Sequence, residues 1–579
     1  MKKPQASRFA CAAMLLLLLL FLAPPATARA QYTFTTNSDG SLNIAQYTGP
    51  GGAVVIPDTT NGLQITSIGD AAFFEKTNLT SVTVGTNVAI IADQAFSYSS
   101  MTSVMLPASV TNIAFNAFQD CNRLTAITVA TNDPDFSSAA GVLFNQNQTT
   151  LIGFPEGKAG SYAIPGSVTN IGVYAFFGSS NLTSVALSTN VNTIENYAFY
   201  DCQGLTAITV DTNNPWYSSV AGVLFDKSRD TLIQYPVGNT ATSYTMPNAV
   251  TNIAMEAFFS CPKLTGVTIG TNVAIIGGAA FEYCPALASI TFPDSVTVIG
   301  GGAFAECAGL TNIAMGTGVT NILAQAFLGC PGVIAIEVAT GNPAFSSVGG
   351  VLFNKNQSAL VLYPAGSSGT SYAIPDSVTN IVGDAFMDAY NLTGISLGTN
   401  VQSIGDSAFQ ECYRLTSITI PNSVTNLGFS TFYYCFSLTN VVIGSGLTSI
   451  GFQDFSYCFS LTGVYFTSNA PAMNSDVFDA DSAAIAYYLP GMKGWGATFD
   501  NLPTAPWLPQ IVASGVRTNQ FSFYVDWASG QTVVVESCTN LSQPVWAPLR
   551  TNMLTSSSWY FSDPRWTNYP GGFYRASSP

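Results

Sequence analysis

The chain repeats one arrangement of apolar and polar positions. Its clearest copy runs Leu415-Thr-Ser-Ile418-Thr-Ile420-Pro-Asn-Ser-Val424-Thr-Asn-Leu427-Gly-Phe-Ser-Thr-Phe432-Tyr-Tyr-Cys435, and Leu438 begins the next. Leu415, Ile418 and Ile420 follow an L-x-x-L-x-L spacing, which marks a short strand with one face turned inward. Val424 and Leu427 close the next corner. Phe432 and Cys435 fill the far side, where the pattern predicts a short helical turn. One Phe marks each coil: Phe73, Phe96, Phe118, Phe176, Phe199, Phe258, Phe281, Phe304, Phe327, Phe386, Phe409, Phe432 and Phe455, spaced by 22 or 23 residues except at three gaps of 58 or 59. A single coil cannot bury its own apolar face, but stacked neighbours can, with strands about 4.8 Å apart. Thirteen Phe-marked coils, three extra coils and an opening strand near Val54-Val55-Ile56 predict a mainly β solenoid of about 17 stacked strands with short helical turns.

The three long gaps hold related inserts, at about residues 133–165, 213–247 and 342–375. Each contains Gly-Val-Leu-Phe (Gly141 to Phe144, Gly222 to Phe225, Gly350 to Phe353), then Phe154-Pro155, Tyr235-Pro236 or Tyr363-Pro364. Each reads as a β-hairpin followed by one extra coil. The solenoid is expected over residues 31–467, with a terminal cap and linker over 468–505. A cap covers the last open strand edge, which otherwise invites pairing. Residues 506–579 read as a small separate β module: Phe521-Ser-Phe523-Tyr-Val525-Asp-Trp527 alternates at period two, and five of the seven Trp lie from Trp507 onward.

Ala408-Phe409-Gln-Glu-Cys412-Tyr-Arg-Leu415-Thr-Ser-Ile418, Ile420-Pro421-Asn-Ser-Val424-Thr and the opening Gly51-Gly52-Ala-Val-Val-Ile56-Pro57 carry a family likeness. Over about residues 33–505 the chain resembles the BspA-like leucine-rich repeats of secreted bacterial proteins. The resemblance implies a curved solenoid, export, and adhesion or recognition at a cell surface. It implies no particular ligand, and the family offers no shared catalytic residues.

Nine cysteines share one repeat position, three residues after the Phe. Cys202, Cys284, Cys307, Cys412 and Cys435 pair in this way with Phe199, Phe281, Phe304, Phe409 and Phe432 as a structural ladder. The same position is Lys76, Ser99, Ser179 or Ala389 in other coils, an exchange that obligatory bridging would not tolerate. The position therefore reads as a small buried hydrophobe. Disulfides between adjacent coils stay open as an alternative in an oxidising compartment. One thiol per coil is a poor match to zinc, which needs clustered ligands.

The outward strand positions are Ser, Thr, Ala, Gly and Asn in nearly every coil. Among those assigned, Glu337 is the one charged residue and Tyr465 the one aromatic. No two carboxylates fall on neighbouring strands, so paired acid–base work of the glycosidase kind has no visible seat. The inserts are richer in rings: Phe136, Trp216, Tyr217 and Phe345 open them. These four, with Glu337 and Tyr465, are the candidate binding residues, although packing of each hairpin onto the solenoid explains the insert rings as well. Asp133, Asp135 and Asp211 sit in Asn/Pro turns, where turn chemistry accounts for them better than calcium does. Neither a metal nor a cofactor is expected.

Composition narrows the choice. The chain has 579 residues, 47% hydrophobic and 8% charged, which suits a large buried core and not disorder. Histidine is absent, which removes His-based triads, bases and metal sites. Residues 31–505 hold nine basic and 29 acidic residues, a net of −20, so nucleic acid is a poor partner. The first 30 residues differ: Lys2, Lys3 and Arg8 precede the apolar run Phe9 to Ala23, and Ala28-Arg29-Ala30 is a small-residue cleavage site. This is the pattern of a signal peptide over residues 1–30. The reading is a secreted or surface-attached, non-catalytic protein that recognises a protein or matrix partner. A polysaccharide- or envelope-binding scaffold that uses the C-terminal module is the alternative.

Overall fold

A computed structural model describes residues 31–518, 520–568 and 572–579. The expected signal segment, residues 1–30, lies outside the described residues. The described residues divide into two compact units, those within 31–240 and 255–260, and those within 241–254 and 261–579.

The first unit opens on an antiparallel pair, Tyr32–Thr36 with Leu42–Tyr47. Four parallel strands follow in one sheet: Gly52–Val55, Leu79–Thr83, Ser103–Leu106 and Ala126–Val129. Val54, Val82, Val104 and Ile127 stand in register and are buried. A second sheet of Gly160–Ala163, Leu182–Leu187 and Ala207–Val210 repeats the arrangement. Between the two sheets the first insert folds as an antiparallel meander of Phe136–Ala139, Val142–Asn145 and Thr150–Gly153. The third of these strands pairs in parallel with the corner strand Asn170–Ile171.

The second unit contains a five-stranded parallel sheet, from Ser243–Thr245 to Ala335–Val338. It also contains a longer sheet running from Ser371–Ala373 through Ser417–Ile420, Asn440–Ile443 and Gly463–Phe466. That sheet does not stop where the repeat fades. Ile485–Tyr488 and Leu502–Pro506 add two further parallel strands, with Thr498–Phe499 folded back on the last. The stacked strands are thus grouped in separate sheets, interrupted wherever an insert intervenes. The last 70 residues form two three-stranded antiparallel sheets over Phe523, Val525, Trp527, Val533, Val535 and Phe561. Leu489 and Met492, from the end of the solenoid, pack on the same cluster.

The far side of each coil is not helical, which corrects the expectation of a short helical turn. Ser407, Phe409 and Glu411 donate their N–H groups across to the carbonyls of Phe429, Thr431 and Tyr433 at 2.8, 2.8 and 2.9 Å. The residues between them, Ala408, Gln410 and Cys412, donate back along their own turn to Gly405, Ser407 and Phe409. This alternation needs left-handed backbone two residues before and two after the Phe, and Ser407 and Glu411 have φ of 53° and 60°. A helix directs every N–H along its axis and leaves none for the next coil. Here half of them extend the ladder. The single helical element among the described residues is a 3-10 turn at Trp566–Asn568.

Inside, the repeat residues meet as columns. Phe386, Phe409, Phe432 and Phe455 stack with ring centroids 4.8, 5.1 and 5.2 Å apart. The inserts continue the column with their own rings: Phe154 packs on Phe176 at 5.2 Å, Tyr235 on Phe258 at 5.0 Å and Tyr363 on Phe386 at 5.0 Å. The ladder cysteines are buried, and the thiol of Cys412 donates to the Phe386 carbonyl, as that of Cys435 does to Phe409. None of the ten described cysteines is in a disulfide. The Thr that precedes most of the strands donates its hydroxyl to the carbonyl of its counterpart one coil back, as Thr416 does to Thr393 and Thr439 to Thr416, both at 3.0 Å. That bond accounts for the recurrent Leu-Thr pair.

Candidate recognition surfaces

The strands turn their outward residues to one face in each unit. In the first unit Ser81, Ser103 and Ala126 align, as do Thr83, Met105 and Thr128. Met105 is 54% exposed and Val55, at the start of the same sheet, 70%. Sequence reading missed both. The coil holding Met105 is one residue short, and Val55 belongs to the opening strand, outside the Phe count. In the second unit Glu337 is exposed and aligns with Ala314, so it has no acidic neighbour there.

Tyr465 lies at the end of that face and does not stand alone. Its ring stacks on Tyr487 at 4.9 Å and 9°, and meets Trp507 at 4.9 Å. Partial burial raises its hydroxyl pKa. The cluster lines a cleft of about 750 Å³ together with Gln510, Asp526 and Ser558 from the C-terminal module. Trp507 is fixed from behind, because the indole N–H of Trp527 donates to its carbonyl at 2.9 Å. Tyr487 and Trp507 become neighbours of Tyr465 only because two strands beyond the repeat extend the sheet.

The insert rings are held by one recurring turn. The Asn214 side-chain oxygen accepts the N–H groups of Trp216 and Tyr217, and Asn342 does the same for Ala344 and Phe345. Asp133 holds Asp135 and Phe136. Phe136 and Tyr217 pack half-buried on the solenoid core, and Phe345 is also half-buried. Trp216 projects furthest, at 48% exposed. The structure does not gather these four rings into one site.

A second ring column runs along the turn side of the second unit, four residues after each core Phe. Tyr390, Tyr413, Phe436 and Phe459 stack at 5.0, 4.9 and 5.5 Å. Phe459 is 58% exposed. The Tyr390 and Tyr413 hydroxyls donate to the carboxylates of Asp388 and Glu411. The four share a register that the pattern of buried positions does not mark.

Among the described residues no three Cys, Asp or Glu side chains converge to hold a metal ion, and no helix is long and apolar enough to cross a membrane.

Residues 54–159, 153–221, 238–358 and 365–484 match the BspA type leucine rich repeat region, in six copies. The chain belongs to the BspA-type leucine-rich repeat proteins. No curated protein matches it. Solved structures of similar fold include a leucine-rich repeat protein from Eubacterium ventriosum, 22% identical over 70% of this chain and 93% of that one, with a TM-score of 0.40. A leucine rich cell surface protein from Faecalibacterium prausnitzii is 23% identical over 77% and 96%, with a TM-score of 0.34. The pneumococcal vaccine antigen PcpA is 19% identical over 62% and 91%, with a TM-score of 0.39. In this BspA-type chain the repeat matches extend across both units and end before the C-terminal module.

Proposed function

We propose that this BspA-type protein is exported and works at a cell surface or in a matrix as a non-catalytic recognition or adhesion protein. Its partner is a protein that lies along the strand face of one unit or the other. The face carries the reading: its outward residues are small and neutral coil after coil, so an extended partner meets little steric or electrostatic obstruction. Val55 and Met105 in one unit, and Tyr465 with Tyr487 and Trp507 in the other, are the apolar points where such a partner gains most. The test uses the chain from Gln31 onward, retained on immobilised matrix proteins and on whole cells. Met105→Asp is expected to weaken retention about tenfold, the scale of a lost interface anchor. Unchanged retention of that variant would remove the strand face from the reading, and sequencing an exported product that does not begin at Gln31 would remove the leader.

A second reading rests on the cleft beside Tyr465. Flat rings next to Asp526, Gln510 and Ser558 suit a sugar, which presents an apolar face and hydroxyl edges. Retention on insoluble polysaccharide that is lost in Trp507→Ala would place glycan binding at this cleft.

A further inference from the structure

The first insert leaves a cavity of about 410 Å³ on the turn side of the first unit, between the turn of Phe118 and the turn of Phe154. Its walls include Phe115, Phe177, Tyr174, Tyr197 and Tyr200. Phe115 stacks on Tyr174 at 5.1 Å, Tyr174 on Tyr197 at 5.0 Å, and Phe177 on Tyr200 at 5.5 Å. Phe115 is 68% exposed, so the ring wall is open to solvent at that end.

The cavity also contains one carboxyl group, Glu156, whose side chain is 5% exposed. One of its oxygens, Oε1, accepts the Asp120 N–H at 2.7 Å and replaces the carbonyl that the next coil would supply. Oε2 has no hydrogen-bond partner. The same place in the other two inserts is Val237 or Ala365, so the fold does not require an acid there. Neither Lys nor Arg lines the cavity. The ionisable groups that interact with Glu156 are the Asp120 and Asp201 carboxylates, the thiols of Cys121 and Cys202, and the Tyr98 hydroxyl. All of these are neutral or acidic. Burial first, and then the two carboxylates, push the Glu156 carboxyl up to about 8.

We propose that this cavity binds an organic cation, an alkylammonium or guanidinium group such as a partner's Lys or Arg side chain, held in the ring-lined space beside the one unstacked face of Phe115, with its charge against Glu156 Oε2. Ring faces attract cations through their quadrupole, more strongly where water is excluded. A buried carboxylate facing them completes the complementarity, and a hydrogen bond between two ions is stronger than a neutral one. The empty site holds Glu156 protonated at pH 7. The entering cation stabilises the carboxylate, so one proton leaves Glu156 for the buffer as each cation binds. The site lies on the turn side and does not rest on the strand-face reading, which stands or falls separately.

The test is calorimetric titration of the chain from Gln31 onward with butylguanidinium, in buffers of differing ionisation heat at pH 7. Saturable binding with release of up to one proton per site is expected. Neutral butylurea should bind at least about tenfold more weakly. Glu156→Gln keeps an oxygen for the Asp120 N–H but removes the charge, and should lose the same factor together with the proton release. If that variant fails to fold, Phe115→Leu decides, since it keeps apolar bulk and removes the wall ring that has an unstacked, exposed face. Equal binding of butylurea would make the cavity an apolar hole, and binding of cellobiose in place of the cation would make it a sugar site. Either outcome overturns the proposal, as does undiminished cation binding by Glu156→Gln or, where that variant does not fold, by Phe115→Leu.

Discussion

Asp133 stands where the other two inserts have Asn214 and Asn342, and the difference of one atom has a cost. In those inserts the side-chain amide donates two hydrogen bonds to carbonyls of the preceding coil, from Asn214 to Ser188 and Val191 at 2.8 and 2.9 Å, and from Asn342 to Gly316 and Val319 at 2.9 Å each. By position, the carbonyls facing Asp133 are those of Pro107 and Val110. A carboxyl group cannot donate both of those bonds, and Asp133 Oδ2 is buried without a partner. Asp133→Asn should therefore raise unfolding stability by about 1–2 kcal/mol, the scale of a satisfied buried polar group. Urea unfolding at pH 7 measures it, and a midpoint at or below that of the parent would contradict the account. The equivalence of the three residues is legible in the sequence, since each precedes a Pro at the start of an insert. The carbonyls opposite them belong to a coil about 25 residues earlier, and only the stacking shows them. Glu156 is a similar case: its neighbours in the chain are ordinary, and its setting comes from turns 36 and 45 residues away.

At the scale of elements, the insert hairpins turn on two residues, both left-handed: Ala140-Gly141 at φ 50° and 81°, Ala221-Gly222 at 50° and 81°, and Gly349-Gly350 at 59° and 81°. This is the primed turn whose twist matches the strands it joins. The second position needs Gly twice over, since a Cβ on Gly222 would sit 2.9 Å from the Ala207 Cβ. The first position tolerates Ala, but strains it. Ala221→Asn should stabilise by roughly 0.5–1 kcal/mol, because Asn enters the left-handed region more readily than Ala. Gly222→Ala should cost more than about 1 kcal/mol. Thermal unfolding of the two variants checks the pair, and a destabilised Ala221→Asn would refute the turn assignment. The coils themselves are legible because an apolar period of 23 admits few foldings, and the 22-residue coil differs only in where its outward residues fall. The turn side is not legible in the same way. Phe432, Tyr434 and Cys435 read equally well as a helical turn, and what decides is the ladder of N–H groups to the next coil, a tertiary interaction that local sequence does not encode.

For the whole molecule, the buried acids set a dependence on pH. Asp454 is fully buried and accepts the N–H groups of Thr431 and Gly451, yet burial still pushes its carboxyl up to about 7. Asp481 is buried and is pushed up to about 8, mainly by burial, and Glu156 reaches about 8 for the same first reason. All three carboxyls bind their protons more tightly in the folded state, so between roughly pH 4 and 8 the folded chain holds protons that the unfolded chain has released. Folding then takes up protons, and stability must fall as pH rises through this window and level off above it. Every tenfold gain in a carboxyl's proton affinity on folding is worth about 1.4 kcal/mol, and the three groups together should make the protein at least about 3 kcal/mol less stable at pH 8 than at pH 5. Surface repulsion among the excess acids has the same sign, but salt screens it, whereas buried groups are screened little. The difference between urea unfolding free energies at pH 5 and pH 8 should therefore persist in 0.5 M NaCl. It should shrink by more than half in a chain carrying Glu156→Gln, Asp454→Asn and Asp481→Asn. A parent protein that gains stability toward pH 8, or a triple variant with the parent's full dependence, would show that these carboxyls are ionised in the fold. In that case Glu156 would have no proton to release when a cation enters its cavity.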